Sequence, residues 1–441
     1  MKQILYLNQK FSQIFFFTLL IFGLSISIIL KEFNLLLLPN YDLDIINIYR
    51  ITIIIFSINV FLSSEKKINL PILLLILVNI IFIYNSLFSE EMTFNILASD
   101  FYNQINVHLD TIINDSNFDN NQVAYALDPF FNNSKKYLLI NIFNIMLPLC
   151  VLLFISKLNF TLDAFKTLSL RICSIFLYAL VLLIIIKFSI TIGKHETFDN
   201  MNDLIRLISE PQNFFFNLHG LIFILNFYFL LIIDKYFIQE VKYNRHDLIK
   251  IFLIFFCIII FNTFIHLLIC SITLFIYYST RNEQFKYYFY SFIIFVLIIL
   301  LFFFKDFYIN QNSISEHGSF INSILVRIYN IKYFFVHSEN FNYLIGNNIF
   351  ADNIYTYPHN MFADILICTG ITGLTLFLFF LYKIFLRLKN LKNSNNLFVM
   401  CLLFQSILFA NLSGFFFSNI LIFIVFTISL IFLKEKESKI I

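Results

Sequence analysis

Residues 355–377 read YTYPHNMFADILICTGITGLTLF, a Pro-His-Asn turn running straight into an apolar helix. Pro358 suits the turn before a helix, or its first position, where a missing N–H costs nothing. Asn360 is the expected N-cap, with a side-chain oxygen placed to accept from the first free N–H groups. His359 then stands where the chain enters the apolar run. It lies beside the positive end of the helix dipole, a place that favours an anion and a neutral, basic imidazole. Gly370 and Gly373 follow a few turns in. The run over 360–382 carries one charged side chain, Asp364, and is long enough to cross a hydrocarbon layer about 30 Å thick.

Runs of the same kind recur along the chain. Of its 441 residues 59% are hydrophobic and 13% charged, where a soluble domain averages about 25% charged. The fold class this implies is all-α: a polytopic integral membrane protein of about twelve transmembrane helices, residues 1–441 forming one transmembrane domain. Spans are expected near 12–30, 45–62, 68–88, 137–156, 172–192, 214–233, 286–304, 360–382, 397–412 and 415–433. The first is too long for a signal-peptide core and lacks a small-x-small cleavage pattern, so it reads as retained. Residues 249–279 are apolar, yet the segments before them (Lys235, Lys242, Arg245, Lys250) and after them (Arg281, Lys286) are both basic. The stretch should therefore cross twice, turning near Asn262 and Thr263.

Charge sets the orientation. With both termini inside, 20 of the 30 Lys and Arg fall on inside segments, while 18 of the 27 acidic residues fall on outside ones. This is the positive-inside pattern. It leaves four longer outer segments, 31–44, 89–136, 193–213 and 305–358. The loop over 89–136 is polar and reads as a solvated cap. In the largest, 305–358, Phe320, Ile324, Ile328, Ile331 and Phe335 recur at helical spacing and predict an amphipathic helix on the membrane surface.

The high content of Phe, Ile, Asn and Lys fits an AT-rich genome and is not itself a binding surface. All six cysteines fall in predicted spans, with neither a disulfide framework nor metal-ligand spacing; they read as small apolar residues. Asp42 and Asp44 form an Asp-x-Asp pair that could hold a divalent ion, but the motif is short and common, and no metal site is expected. Lys187 is near the outer end of its span and can snorkel to the surface. Arg50 and Asp364 also map near the outer surface, which leaves little sign of an ionisable path through the membrane.

His359-Asn360, then apolar and small residues, then Gly370-x-x-Gly373, resembles the signature of the O-antigen ligase and O-antigen polymerase superfamily of bacterial envelope proteins. The signature region covers 320–382. Ahead of it come Arg327, in SILVRIY, and the turn at Gly346, in YLIGNNIF, an order that resembles the family's large extracytoplasmic loop. Arg206, in DLIRLISEPQN, resembles the contribution of its smaller loop. The resemblance implies a metal-independent glycosyltransferase of the bacterial inner membrane, without cofactor, acting on its periplasmic face in lipopolysaccharide biosynthesis. Its donor would be a glycan on a polyprenyl diphosphate, its acceptor the lipid A core or another glycan, and its surroundings membrane lipid; no nucleic acid is involved. His359 would be catalytic, Arg206 and Arg327 would hold the donor diphosphate, and Asn360, Gly346, Gly370 and Gly373 would support them.

The residue types suit that chemistry. Guanidinium groups bind phosphate oxygens bidentately and keep their charge. Imidazole is the usual proton acceptor near neutrality. By itself an Arg at a membrane edge is a headgroup anchor and a His at a helix start a cap. The family often has a Ser-Arg or Thr-Arg pair near the 249–279 turn, where this chain has Asn262, Thr263 and His266; His219 has no clear partner either. Four functions stay open: ligase, polymerase joining lipid-linked repeats, a protein-glycosylating relative, and a flippase or other transporter of lipid-linked oligosaccharide.

Overall fold

Helix is the only regular structure among the described residues of the computed structural model. Those residues are 22–23, 25–32, 48–49, 51–53, 55, 70–88, 161–194, 218–239, 244–261, 264–281, 341–347, 360–389, 394–411, 416–418 and 420–437. In hydrocarbon every backbone N–H and C=O must be bonded within the protein, and an α-helix does this inside one segment. The helices are α1 (Leu70–Phe88), α2 (Leu162–Lys194), α3 (Leu218–Gln239), α4 (Arg245–Ile260), α5 (Phe264–Arg281), α6 (Met361–Arg387), α7 (Ser394–Ala410) and α8 (Ile420–Glu437), with a 3-10 turn at Phe416–Ser418. Two stretches, Leu162–Ser189 of α2 and Met361–Arg387 of α6, are long and apolar enough to cross a membrane.

The spans expected near 68–88, 214–233, 360–382, 397–412 and 415–433 overlap α1, α3, α6, α7 and α8. The one expected over 172–192 starts earlier: α2 begins at Leu162, where Thr161 accepts from Ala164 N through its hydroxyl (3.3 Å) and from Phe165 N through its carbonyl (3.0 Å). The 249–279 stretch divides into α4 and α5. Asn244 caps α4 by accepting from His246 N at 3.2 Å, and Phe261 N closes its far end on Cys257 O at 3.0 Å. The spans expected near 137–156 and 286–304, the helix over 320–335 and the loop 89–136 lie outside the described residues, as do parts of the spans near 12–30 and 45–62.

Helix α3 is the hub. Residues 220–234 are buried on every side, as expected of a helix that is apolar all round, and α2, α4, α5 and α7 pack about it. Other helices turn large apolar side chains outward: Ile175 is 72% exposed, Phe252 68% and Ile371 52%. A surface of that kind suits hydrocarbon and not water. The phenylalanines fill a second centre among α1, α6 and α8. Phe377 lies 5.4 Å from Phe416 and 6.0 Å from Phe426, edge-on or tilted, and Phe82 stacks on Phe417 at 3.9 Å. Such pairs add about 0.5–1.5 kcal/mol each beyond burial.

Several of the charged groups buried among the described residues are paired. Lys187 does not snorkel, contrary to expectation: it is buried and pairs with buried Glu32. A solvated ammonium gives way here to a partner brought in from the residues before α1. Lys166 of α2 pairs with Asp234 of α3 at 2.6 Å, Tyr277 of α5 donates to Asp234 at 2.7 Å, and Lys166 also donates to Asn395 of α7 at 3.3 Å. One cluster thus ties four helices together.

Candidate functional site at the break in α6

Asn360 caps α6 as the sequence requires. Its backbone is extended (φ −134, ψ 118), and Oδ1 accepts from both Phe362 N and Ala363 N at 3.1 Å. Met361 N is bonded from outside the helix, to Asn411 Oδ1 at the end of α7 (3.2 Å). The first turn is thereby saturated, which leaves no N–H free to hold an anion directly.

One turn on is Asp364, which is fully buried within the protein. Its Oδ2 accepts from Phe416 N at 3.0 Å, which fastens the turn between α7 and α8 onto α6. Its Oδ1 has no hydrogen-bond partner among the described residues. A buried ionisable group in a membrane helix marks a place where chemistry or binding outweighs stability.

The sequence predicts a continuous helix over 360–382, and the structure corrects this. Gly370 has φ 62 and ψ −168, so α6 is two helical pieces joined across a non-helical residue. A side chain there would cost about 1–3 kcal/mol in backbone strain alone, because that region is essentially open to glycine only. The break exposes backbone groups, and the turn at 341–347 satisfies them. Ile371 N donates to Tyr343 O (2.9 Å), Thr372 N to Leu344 O (3.1 Å), and Asn347 N to Ile367 O (3.0 Å). Irregular backbone at membrane depth is tolerated only where protein supplies such partners.

The turn itself is built for close approach. Asn342 Oδ1 accepts from Leu344 N (3.1 Å) and Ile345 N (3.3 Å), and Asn342 O from Gly346 N (2.8 Å). Gly346 has φ 76. A Cβ on it would stand 2.5 Å from Thr369 N, and one on Gly370 would stand 2.4 Å from Leu344 O. The two glycines allow two backbones to touch. Gly373 serves a different need: a Cβ there would meet the Thr369 side chain at 1.9 Å. Asn85 of α1 completes the junction, its Nδ2 donating to Cys368 O at 2.9 Å and to Ile345 O.

Of the residues marked in the sequence, Gly346 meets Gly370 across the turn, Gly373 packs on Thr369, and Asn360 caps the same helix ten residues before Gly370. His359, Arg206 and Arg327 lie outside the described residues, as does the side chain of His219. His266 does not join this group. It is buried between α3, α5 and α7, where Nδ1 stands 2.7 Å from Asn226 Nδ2 and Cys270 Sγ donates to Asn226 Oδ1 at 3.3 Å. Sequence reasoning passed over Asn85 and Asn411. The signal available was an amide within or ending an apolar helix, which in lipid needs a partner.

The described residues hold no group of three or more His, Cys, Asp or Glu placed to bind a metal ion. Comparison with models of known families, with characterised proteins and with solved structures finds no match for this chain.

Proposed function

We propose that this protein transfers a glycan from a polyprenyl diphosphate to an acceptor, the lipid A core, on the periplasmic face of a bacterial inner membrane. The observation that carries the proposal is the junction of Gly346 with Gly370. The signature's separate parts, the Gly346 turn and the helix that opens at Asn360 and breaks at Gly370, meet backbone to backbone. A motif whose spaced glycines answer one another is better explained by a built site than by chance composition. In this reading twelve spans cross the membrane, both termini are cytoplasmic, and the N-terminus of α6 faces the periplasm.

Displacement at the anomeric carbon needs a base for the acceptor hydroxyl and charge to hold the leaving diphosphate. His359 takes the proton, within hydrogen-bond reach of the acceptor. Arg206 and Arg327 hold the diphosphate oxygens and stabilise the charge that grows on them as the glycosidic bond breaks. Inversion at carbon then requires no nucleophile from the protein and no metal.

The test is the lipopolysaccharide gel pattern of a strain whose only copy carries His359→Ala. Loss of the capped ladder, with long polymer retained on the polyprenyl carrier, is the result expected of a ligase. Core lipid bearing a single repeat would instead indicate a polymerase. A transporter of lipid-linked oligosaccharide is the second reading, favoured by the buried Lys187–Glu32 pair and the buried His266–Asn226 contact, since polar groups inside a bundle mark pathways. An unchanged ladder with folded protein present would leave that reading standing and remove the first.

A further inference from the structure

A stripe of polar side chains runs down one face of α5. His266, Cys270, Thr273 and Tyr277 follow one another at intervals of four, three and four residues. That spacing stacks side chains on a helix, with about 5–6 Å between neighbouring Cβ atoms. All four are buried, whereas Leu268 and Tyr278, on the opposite face, are exposed. Helix α5 therefore turns its polar stripe into the bundle.

Neighbouring helices answer the stripe with polar groups of their own. His266 Nδ1 stands 2.7 Å from Asn226 Nδ2 of α3, and Asn226 Oδ1 accepts from Cys270 Sγ at 3.3 Å. Thr273 Oγ1 accepts from Gln405 Nε2 of α7 at 2.9 Å. Tyr277 donates to one oxygen of Asp234 at 2.7 Å, and Lys166 of α2 pairs with the other at 2.6 Å. From His266 to Tyr277 the seam runs about 16 Å along the axis, more than half of a hydrocarbon layer about 30 Å thick. Lys166 is partly exposed, so the Asp234 end meets the surface. His266 lies in the first turn of α5, against the ring of Phe409.

Holding helices together is the other use for polar groups inside a bundle. It explains single contacts, which are worth little more in lipid than in water. It does not explain a polar group on four successive turns of one face. Nor does it explain a buried lysine–aspartate pair, which apolar residues of similar volume replace without loss in many proteins. The groups chosen are instead ones that take up and release protons: an imidazole, a phenol and a carboxylate, with a hydroxyl between them. Chains of that kind inside a membrane bundle mark proton relays.

We infer that this seam conducts protons through the bundle, between the surface at Lys166 and the first turn of α5. A proton from water forms the O–H bond of the Asp234 carboxyl. Tyr277 accepts it at Oη as its own phenolic proton moves on to Thr273, whose hydroxyl repeats the exchange. His266 takes the proton on a ring nitrogen and releases it at the far end. Each group finishes with the protons it began with, so no oxidant, reductant or second substrate is consumed. Asn226 and Gln405 carry no proton and hold His266 and Thr273 in line. The steps of about 5–6 Å from turn to turn are crossed by side-chain rotation or a bridging water. The path requires neither of the two readings of the protein's function given above.

The experiment uses the full chain in liposomes loaded with potassium and a pH-sensitive dye, diluted into sodium buffer. Valinomycin makes the lumen negative and draws protons in. Wild type should acidify the lumen faster than protein-free liposomes do, while a sodium-sensitive dye reports no entry. Tyr277→Phe and Thr273→Val each remove one hydroxyl and keep the shape of the side chain. Either should cut the protein-dependent rate on the order of a hundredfold, the lower end of what a positioned proton-transfer group contributes. His246→Gln, exposed on α4 and away from the seam, should leave the rate unchanged.

Wild type no faster than empty liposomes overturns the inference and leaves the seam as adhesion. Acidification that persists at the wild-type rate in both hydroxyl variants overturns it too, as does sodium entering with the protons. Rates are compared at equal folded protein, and if one of the two variants does not fold the other carries the comparison. None of these outcomes touches the gel pattern of His359→Ala, so the relay and the glycan-transfer reading stand or fall separately.

Discussion

Replacing Gly370 by alanine tests the broken helix directly. Two costs add. The backbone at φ 62, ψ −168 lies in a region essentially open to glycine alone and costs an L-residue about 1–3 kcal/mol. The new Cβ would stand 2.4 Å from Leu344 C and O and 2.5 Å from Ile345 N, which are backbone atoms and cannot swing aside. Overpacking of that kind costs typically about 1–3 kcal/mol. If the turn instead retreats, the bonds from Ile371 N and Thr372 N are lost, at a similar cost for each buried donor left unpaired, about 1–3 kcal/mol. Gly370→Ala should therefore destabilise by roughly 2–6 kcal/mol. The assay is reversible unfolding in mixed micelles, read by thermal midpoint and denaturant titration, with Thr372→Ala as an exposed neighbour whose side chain bears no load. A Gly370→Ala protein within about 1 kcal/mol of wild type would refute the reasoning, because neither the strain nor the contact could then be present.

Three other outcomes follow from local chemistry. Asn360→Ala removes the acceptor of two helix-start N–H groups and should cost about 1 kcal/mol, while Asn360→Asp should stay within a few tenths; unfolding of the pair decides it. Lys166→Met leaves Asp234 buried without its cation and should cost about 3–5 kcal/mol, most of it recovered in the Lys166→Met/Asp234→Asn double variant measured in the same cycle. The Asp247 carboxyl, at the start of α4 and outside the spans, is pushed up by burial. Hydrogen bonds from Lys235 and Tyr236, with the charges of Lys235 and Lys250, outweigh this and hold it below the usual carboxylate range. Its folded value being depressed, it stabilises the protein above the ordinary carboxylate pKa of about 3.9 and loses that contribution as pH falls through the folded value. The stability difference between wild type and Asp247→Asn should accordingly shrink as pH is lowered from about 5 to 3.

The sequence was legible wherever a feature is local. Apolar runs marked the places of α1, α3, α6, α7 and α8, because an α-helix bonds its own backbone within one segment. The cap at Asn360 was readable because the bonds that justify it run to N–H groups two and three residues on. The division of 249–279 was readable from flanking charge. Gly346, Gly370 and Gly373 stood out by type and spacing.

What they do sterically depends on tertiary structure. No periodicity distinguishes a glycine that sits in a continuous helix from one that breaks it, since both are small and apolar. Only the arrival of the 341–347 turn, with carbonyls to accept from Ile371 and Thr372, makes the break at Gly370 affordable in lipid. The same holds for charge. Lys187 reads as a snorkelling residue until Glu32 is brought beside it across 155 positions of chain. Asn85 looks like an accident of composition until two carbonyls, 260 and 283 residues away, converge on its amide. Composition and local pattern thus determined an all-helical chain suited to a membrane, since desolvation of the backbone leaves few other choices. Which polar groups meet inside it was decided by packing, because a buried donor or acceptor takes its meaning from a partner that the sequence alone does not place.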